Sequence, residues 1–199
     1  DKINPKKINS VCADFFVNSI FKNFVLFKNY LTPFCNAVSE QGIKNITIPL
    51  LEISSVEDNE LRKQFIDFIL PYSERFSHLN FSFEAELGHE ELLEIVSLSD
   101  NFYVTYDTGN MTSYGVNHPE YIQAVSHKIN NIHLKDRTYD AITVSPGHGK
   151  TNFQLIFKEL KKIGYNGNYT IQTARGKRGK EIETILKHKK FFKELYNEQ

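Results

Sequence analysis

Four polar side chains able to bind a metal ion recur along the chain at intervals close to one strand plus one helix. They are separated by 23, 26 and 39 residues: Glu84, Asp107, His133 and Gln172. Each lies at or near the end of an apolar run. Neighbouring strands of a parallel sheet lie about 5 Å apart, so side chains at their carboxyl ends would meet at one edge. Two carboxylates, an imidazole and an amide oxygen match the ligands of a divalent cation such as Mn, Mg, Co or Zn.

Other ionisable residues lie close to the same strand ends and are suited to proton transfer or charge stabilisation. Residues i and i+2 of a strand share a face, so Glu86 is expected beside Glu84. Lys135 is expected beside His133 for the same reason. Glu52 or Glu86 is then available as a general base, and Lys135 as the group that neutralises an oxyanion. Two simpler interpretations stay open: Glu52 as a helix cap, and Lys135 in a structural salt bridge.

Each candidate ligand also has an ordinary structural explanation when it is considered alone. A histidine in a strand is usually a hydrogen-bonded core residue, and a glutamate at a strand end is usually solvated. The Asp-x-Gly-Asn run at 107–110 is typical of a turn. Burying several ionisable groups together without a partner is unfavourable, however. Four such residues on successive strands, all at the same end, therefore favour a metal site.

The elements that must position these residues alternate between strand and helix. Six short runs rich in β-branched and aromatic residues are predicted as strands: Ile8–Val17, Asn45–Leu51, Asn80–Glu86, Phe102–Asp107, Asn130–Lys135 and Tyr169–Thr173. Six amphipathic stretches are predicted as helices: Leu26–Gln41, Glu57–Ser77, Glu90–Leu98, Pro119–Lys128, Phe153–Ile163 and Lys180–Tyr196. Gly42 and Gly164 follow two of these stretches and are typical of a helix end.

Strict alternation of strand and helix predicts a parallel sheet covered by helices. Dividing 199 residues among six units gives about 33 residues per unit, the length of a βα unit. A doubly wound open sheet usually carries a Gly-rich phosphate-binding turn after an early strand, and the sequence has none. Polar residues at the carboxyl ends of several strands are instead typical of a (β/α)8 barrel. The sequence therefore predicts an α/β fold of TIM-barrel type with about six βα units, in a single domain over residues 1–199.

The composition limits the classes of function. The chain has 24 Lys and Arg and 24 Asp and Glu, so its formal net charge is zero and indicates no nucleic-acid or anionic-membrane partner. Apolar residues make up 40%, enough for a hydrophobic core. No apolar run approaches the roughly 18 residues of a membrane helix, and no signal-peptide pattern follows Asp1. We therefore expect a cytoplasmic protein in which Cys12 and Cys35 are buried free thiols.

Seven segments spread over most of the chain are similar to one known family. They are Ser10–Asp14, Ile48–Glu52, Phe83–Glu84, Tyr106–Asn110, His133–Arg137, Pro146–Gly149 and Ile171–Arg175. The most specific are the Asp-x-Gly-Asn run and the later His-x-Lys-Asp run. With these segments, the sequence resembles the xylose isomerase-like superfamily of TIM barrels, in the branch of sugar phosphate isomerases and epimerases.

The resemblance implies a metal ion held by Glu84, Asp107 and His133, with Glu84 also taking part in catalysis. The fourth ligand of the family is usually a glutamate at the end of the last strand, where this chain has Gln172. An amide oxygen can bind a metal but cannot act as a base, so a two-base epimerase would need Glu52 or another carboxylate as a substitute. A 1,2-isomerisation between aldose and ketose needs one base and is therefore slightly favoured.

The resemblance further implies a sugar or sugar phosphate as substrate, converted through an enediolate. Six residues are expected to bind it: Glu86, Asn110, Asp136, Arg137, His148 and Arg175. Arg175 follows the last predicted strand, where barrels often hold phosphate. Two other functions stay open, a metal-dependent lyase or dehydratase of the same superfamily and a non-catalytic ligand-binding barrel. An abasic-site endonuclease is disfavoured, because such enzymes need more histidine ligands than the predicted strand ends offer. The sequence is compatible with a homo-oligomer but does not give the oligomeric state.

A complete (β/α)8 barrel has eight units and typically about 250 residues. Because six units are visible here, we expect the family's first two units to precede Asp1, a partner to cover the open edge of the sheet, or a departure from the full barrel. The chain as given is then not expected to form a closed eight-stranded barrel.

Overall fold

The computed structural model describes residues 4, 7–17 and 23–198. Its parallel strands are β1 (Ser10–Cys12), β2 (Asn45–Leu50), β3 (Asn80–Ala85), β4 (Phe102–Asp107), β5 (Ile129–Leu134) and β8 (Asn168–Ile171). Strands β1 to β4 are neighbours in their order along the chain, and β5 is a neighbour of β8. A separate antiparallel ribbon pairs β6 (Asp136–Arg137) with β7 (Thr143–Val144).

Seven α-helices are present in the described part of the chain. They are α1 (Phe24–Glu40), α2 (Asn59–Arg75), α3 (His89–Val96), α4 (Thr108–Tyr114), α5 (His118–Ala124), α6 (Phe153–Lys162) and α7 (Glu181–Asn197). Short 3-10 turns occupy Asp14–Val17, Glu52–Ser54 and Ser126–Lys128. Within the described ranges, no helix has both the length and the apolar character that crossing a bilayer requires.

The chain divides into two compact units, of which the first comprises residues 1–105. In this unit β1 pairs with β2, β2 with β3, and β3 with β4, all in parallel. Alternate strand residues such as Ile46, Ile48 and Phe83 are fully buried. The ring of Phe83 packs edge-on against Phe65 of α2 at 5.5 Å between ring centroids. One face of these strands is therefore the apolar face covered by helices, as the period of two predicts.

The second unit comprises residues 106–199 and is built on β5 and β8, which pair in parallel. Ile132 of β5 is fully buried, as are Ile156 and Leu160 of α6. The ring of Phe153 at the start of α6 packs edge-on against Phe192 of α7, with 5.1 Å between ring centroids. This apolar cluster holds the two long helices of the unit together.

All six predicted strands and all six predicted helices are found, with the largest difference in the first strand. The sequence predicts a strand through Val17, but the strand ends at Cys12 and a 3-10 turn follows. The N–H of Phe16 donates to the carbonyl of Ala13 at 3.0 Å, and the Phe16 ring packs 3.7 Å from that of Phe27. Burying Phe16 against the first helix thus outweighs continued strand pairing.

Two elements are missed by the sequence pattern. The run 107–110, typical of a turn, is instead the cap and first turn of helix α4, which ends at Gly115 with φ of +85°. The β6–β7 ribbon is too short to show a strand period. The cysteines differ from expectation as well: Cys35 is buried, and burial raises the pKa of its thiol to about 12, but Cys12 is exposed.

Candidate metal centre

Asp107 lies at the junction of β4 and α4, and its two carboxylate oxygens have different partners. Oδ1 accepts hydrogen bonds from the backbone N–H groups of Gly109 and Asn110, at 2.9 and 2.8 Å. This is N-terminal helix capping by an aspartate, which fixes the side chain. Oδ2 is 2.8 Å from Lys135 Nζ and 3.9 Å from His133 Nδ1. The side chain is 1% exposed, so the negative charge is held inside the protein.

His133 and Lys135 project from the same face of β5 and its end, as the period of two predicts. Both are buried. The Lys135 ammonium donates to Asn110 Oδ1 at 3.2 Å in addition to its ion pair with Asp107. The second unit therefore brings together a carboxylate, an imidazole, an amide and an ammonium group, all predicted as site residues from the sequence.

Glu84 lies near the carboxyl end of β3 in the first unit and is buried. The polar face of this unit carries a chain of hydroxyl groups, in which Thr105 Oγ1 is 2.7 Å from Ser82 Oγ and 3.1 Å from Thr47 Oγ1. Glu84 follows Ser82 by two residues and lies on this polar face, one step closer to the carboxyl end of its strand. Asp107 likewise follows Thr105 by two residues on β4 and lies on the same face of that strand.

Gln172 follows β8 directly and is exposed. Its backbone N–H donates to the carbonyl of Leu134 at 3.1 Å, which continues the parallel pairing of Thr170 with His133. Residues paired in this register point to the same side of the sheet. Gln172, two residues beyond Thr170, therefore lies on the side that His133 occupies, and its role as a ligand stays a prediction.

The two candidate bases, Glu52 and Glu86, are more accessible than Glu84. Glu86 is half-buried, and Glu52 is exposed at the start of the 3-10 turn after β2. Glu52 has a φ of +53°, in the left-handed region that non-glycine residues seldom adopt. The cap of helix α2 is Asp58, whose Oδ1 accepts from the N–H of Leu61 at 2.8 Å. Glu52 therefore does not cap that helix.

Asp136 organises the loop between β7 and α6. Its Oδ2 accepts from the N–H groups of Gly147 and Gly149, at 2.8 and 2.9 Å, and its Oδ1 accepts from Thr151 N–H at 3.2 Å. A Cβ at Gly149 would lie 2.1 Å from Asp136 Oδ1, so only glycine allows this approach. The carboxylate is 1% exposed. Its observed contacts are thus with the loop backbone, and substrate binding by Asp136 stays a prediction.

The remaining predicted substrate residues are dispersed. His148 is exposed on the loop that Asp136 holds, and Arg175 is exposed after β8. Arg137 is half-buried, and its guanidinium donates to Thr143 Oγ1 at 3.4 Å and to Ser113 Oγ at 3.5 Å. These contacts and exposures do not by themselves identify His148, Arg175 or Arg137 as a substrate-binding residue.

Sequence reasoning misses a buried cluster around His118. Tyr106 Oη is hydrogen-bonded to His118 Nδ1, and His118 Nε2 is 3.1 Å from Thr112 Oγ1. Because Thr112 Oγ1 donates to the carbonyl of Thr108 at 2.7 Å, it accepts from Nε2–H. Nδ1 of the neutral ring then accepts from Tyr106 Oη. Burial lowers the pKa of His118 to about 4 and raises that of Tyr106 well above its usual value. The partners lie in different elements, and no sequence spacing links them.

Comparison with known proteins identifies the family. The family described as xylose isomerase-like TIM barrel matches residues 74–195. The chain belongs to this family. Its α/β fold with parallel strands in chain order is therefore of TIM-barrel type, as predicted. A single domain over residues 1–199 stays a prediction.

Three similar proteins illustrate the range within this fold. An inosose dehydratase of Clostridium botulinum is 25% identical over 126 residues, which are 53% of this chain and 42% of that protein. A D-tagatose 3-epimerase-like protein of solved structure is 23% identical, with a TM-score of 0.73 over 96% of this chain and 79% of that one. The IOLI protein, solved "with a binding zinc atom", is 20% identical, with a TM-score of 0.74 over 96% and 76% of the two chains. The chain spans about two fifths of the length of the curated relatives it matches.

Proposed function

We propose that this chain is a divalent-metal-dependent enzyme that moves a proton next to the carbonyl group of a sugar or sugar phosphate. The observation that carries the proposal is a pair of ligand-type side chains, Asp107 and His133, whose Oδ2 and Nδ1 atoms are 3.9 Å apart. We propose Glu84 of the first unit as a further ligand, as the resemblance to the family implies. All three are buried, with exposures of 3%, 1% and 5%.

The chemistry of these donors suits a divalent cation. Two carboxylates and one imidazole are ligands that Mn, Mg, Co and Zn all accept. The carboxylates carry two negative charges, and Lys135 supplies one positive charge, so further positive charge would stabilise the buried group. We propose Gln172 as the fourth ligand, because its place after β8 lies on the face that His133 occupies. A divalent ion held there would act as a Lewis acid toward a substrate carbonyl.

Proton transfer would fall to a carboxylate of this chain, because Gln172 has no basic group. We propose Glu52 or Glu86 as the base, since both are accessible to a substrate. The left-handed backbone of Glu52 adds support, because a strained non-glycine conformation of this kind costs about 1–3 kcal/mol and is frequent at functional sites. Lys135 would stabilise negative charge on the substrate oxygen. One base suffices for 1,2-isomerisation, which we therefore favour over epimerisation.

Two features bear on the substrate. Arg175 with Lys177 and Arg178 forms an exposed basic stretch after β8, a position where TIM barrels often bind phosphate. Asn110, Arg137 and His148 would contact sugar hydroxyl groups as hydrogen-bonding partners. A dehydratase acting on an inositol-type ketone is the second candidate, supported by the similarity to inosose dehydratase. The same ligands and base would serve it, with water as the leaving group.

Metal content and product analysis test the proposal. Protein loaded with Mn, Co or Zn and dialysed should retain about one ion per chain, and Glu84→Gln or Asp107→Asn should reduce that amount about tenfold or more. Candidate ketoses, their phosphates and an inosose would then be supplied in deuterated water and followed by NMR. Aldose formation with deuterium uptake supports the isomerase, and loss of water supports the dehydratase. Retention of no metal by the parent protein would contradict the proposal.

A further inference from the structure

The four residues Asp107–Asn110 enclose Lys135 from its backbone to its ammonium group. Thr108 Oγ1 accepts from the N–H of Lys135 at 2.9 Å and is 2.7 Å from its carbonyl oxygen. A Cβ at Gly109 would lie 2.8 Å from Lys135 Cγ, so the glycine leaves the space that the lysine stem fills. Each residue of the run thus contributes to one lysine-binding turn.

The lysine head is held just as closely. Its Nζ is 2.8 Å from Asp107 Oδ2 and donates to Asn110 Oδ1 at 3.2 Å, with the side chain only 9% exposed. The other oxygen of Asp107 accepts from two backbone N–H groups of α4. Oδ2 is therefore the oxygen of Asp107 that both an ammonium group and a metal ion would use.

We propose that Lys135 is a built-in counter-cation that stabilises Asp107 when no metal is bound and lowers the affinity of the site for the metal. This inference rests on the proposed metal at Asp107 and His133. Because Lys135 and a divalent ion carry like charges and share Oδ2, each weakens the binding of the other. Besides its proposed contact with the substrate, Lys135 thus sets how easily the metal is lost.

The proposed role of Lys135 has opposite effects on the stability of the metal-free protein and on its affinity for the metal, and a purely structural role does not. A lysine that only supports the fold would, when replaced, weaken both the metal-free protein and its metal binding. A counter-cation would, when replaced, destabilise the metal-free protein, because a buried carboxylate loses its partner. Its loss would at the same time strengthen metal binding.

Lys135→Met tests this inference, because methionine keeps an unbranched side chain of similar length without the charge. We expect the melting temperature of the metal-free protein to fall by about 5 °C or more. We expect the dissociation constant for Mn or Zn, measured by titration calorimetry, to decrease about tenfold. Lys135→Gln provides a second neutral variant that can still donate to Asn110. Lys44→Met, at an exposed lysine, is the matched control and should change neither quantity.

The outcomes separate this inference from the proposed function. A lower melting temperature together with tighter metal binding in either neutral variant supports the counter-cation role. Unchanged or weaker metal binding in a folded neutral variant overturns it while leaving the metal site intact. Failure of the parent protein to bind any of these metals overturns both the proposed function and this inference.

Discussion

At the scale of single residues, Asp107 combines a helix cap, an ion pair and a proposed metal ligand in one side chain. One oxygen caps helix α4, the other forms an ion pair with Lys135, and the proposed metal would use that second oxygen. The cap orients the carboxylate before any metal binds. Preorganisation of this kind removes the entropy of fixing a ligand from the free energy of binding.

His133 should be needed for metal binding but not for folding. Replacing it by alanine removes one of four proposed ligands, so we expect His133→Ala to lower metal affinity about a hundredfold, while far-ultraviolet circular dichroism stays unchanged. Elemental analysis after dialysis measures the loss. His127→Ala, at an exposed histidine, is the control and should retain the metal of the parent protein. Equal metal content in both variants would argue against a site at His133.

Gln172 should limit the chemistry available to the site. Gln172→Glu restores the carboxylate usual at this position of the family, so we expect tighter metal binding and a gain in epimerisation of about tenfold or more. The measurement follows inversion of the carbon next to the carbonyl by NMR in deuterated water. Gln154→Glu adds the same charge at an exposed position of α6 and serves as the control. An epimerase rate unaffected by Gln172→Glu would show that the amide is not the limiting group.

At the scale of elements, loops are ordered by buried polar side chains at the strand ends. Asp136 lies just beyond the end of β5 and binds three N–H groups of the loop that precedes α6. Thr108 joins the start of α4 to the end of β5 by two hydrogen bonds. The strand ends thus fix the side chains of the candidate site, the loop that carries His148 and the start of helix α4, which carries Asn110.

The loop held by Asp136 should open when that carboxylate is removed. In Asp136→Ala, the three N–H groups lose a charged acceptor, so we expect the protein to be less stable by about 2–3 kcal/mol. Hydrogen exchange at Gly147, Gly149 and Thr151 should become faster. Asp140→Ala, at an exposed aspartate of the same ribbon, is the control. Unchanged exchange at these three amides would mean that the loop is ordered by other contacts.

At the scale of the whole molecule, buried polar groups make stability depend on pH. His118 is neutral between Tyr106 and Thr112, away from water. Its pKa is about 4 in the folded protein, compared with 6.5 for an ordinary histidine. The unfolded chain therefore takes up a proton at a higher pH than the folded chain does.

Stability should consequently decrease as the pH falls from 6.5 towards 4. The contribution of neutral His118 is complete above pH 6.5 and is lost across this interval, by on the order of 3 kcal/mol. Urea unfolding at both ends of the interval measures the loss. The glutamine in His118→Gln cannot titrate. The free energy of unfolding of this variant should therefore decrease less over the same interval, by that amount. His127→Gln, the exposed control, should follow the parent protein; an equal loss in His118→Gln would exclude His118 as the cause.

Six strands, six helices and the strand-end positions of Asp107 and His133 could be predicted from the sequence alone. Periods of two and of 3.6 residues are local properties, and the end of an apolar run marks the carboxyl end of a strand. Asp107 and His133 are therefore predictable from residue type and spacing. The parallel order of the strands follows from the same alternation, because each helix must return the chain to the start of the sheet.

Only the tertiary structure decided which polar groups are partners. Lys135 pairs with Asp107 and Asn110, across 28 and 25 positions of the chain, and Asp136 binds loop amides 11 to 15 residues away. Helix α4 was not predicted, because the run 107–110 is typical of a turn. The same residues can begin a helix when the aspartate at the end of the preceding strand caps its first N–H groups. Such contacts depend on how strands and loops come together in space. Residue type and spacing along the chain do not give the distances between these groups in the folded protein.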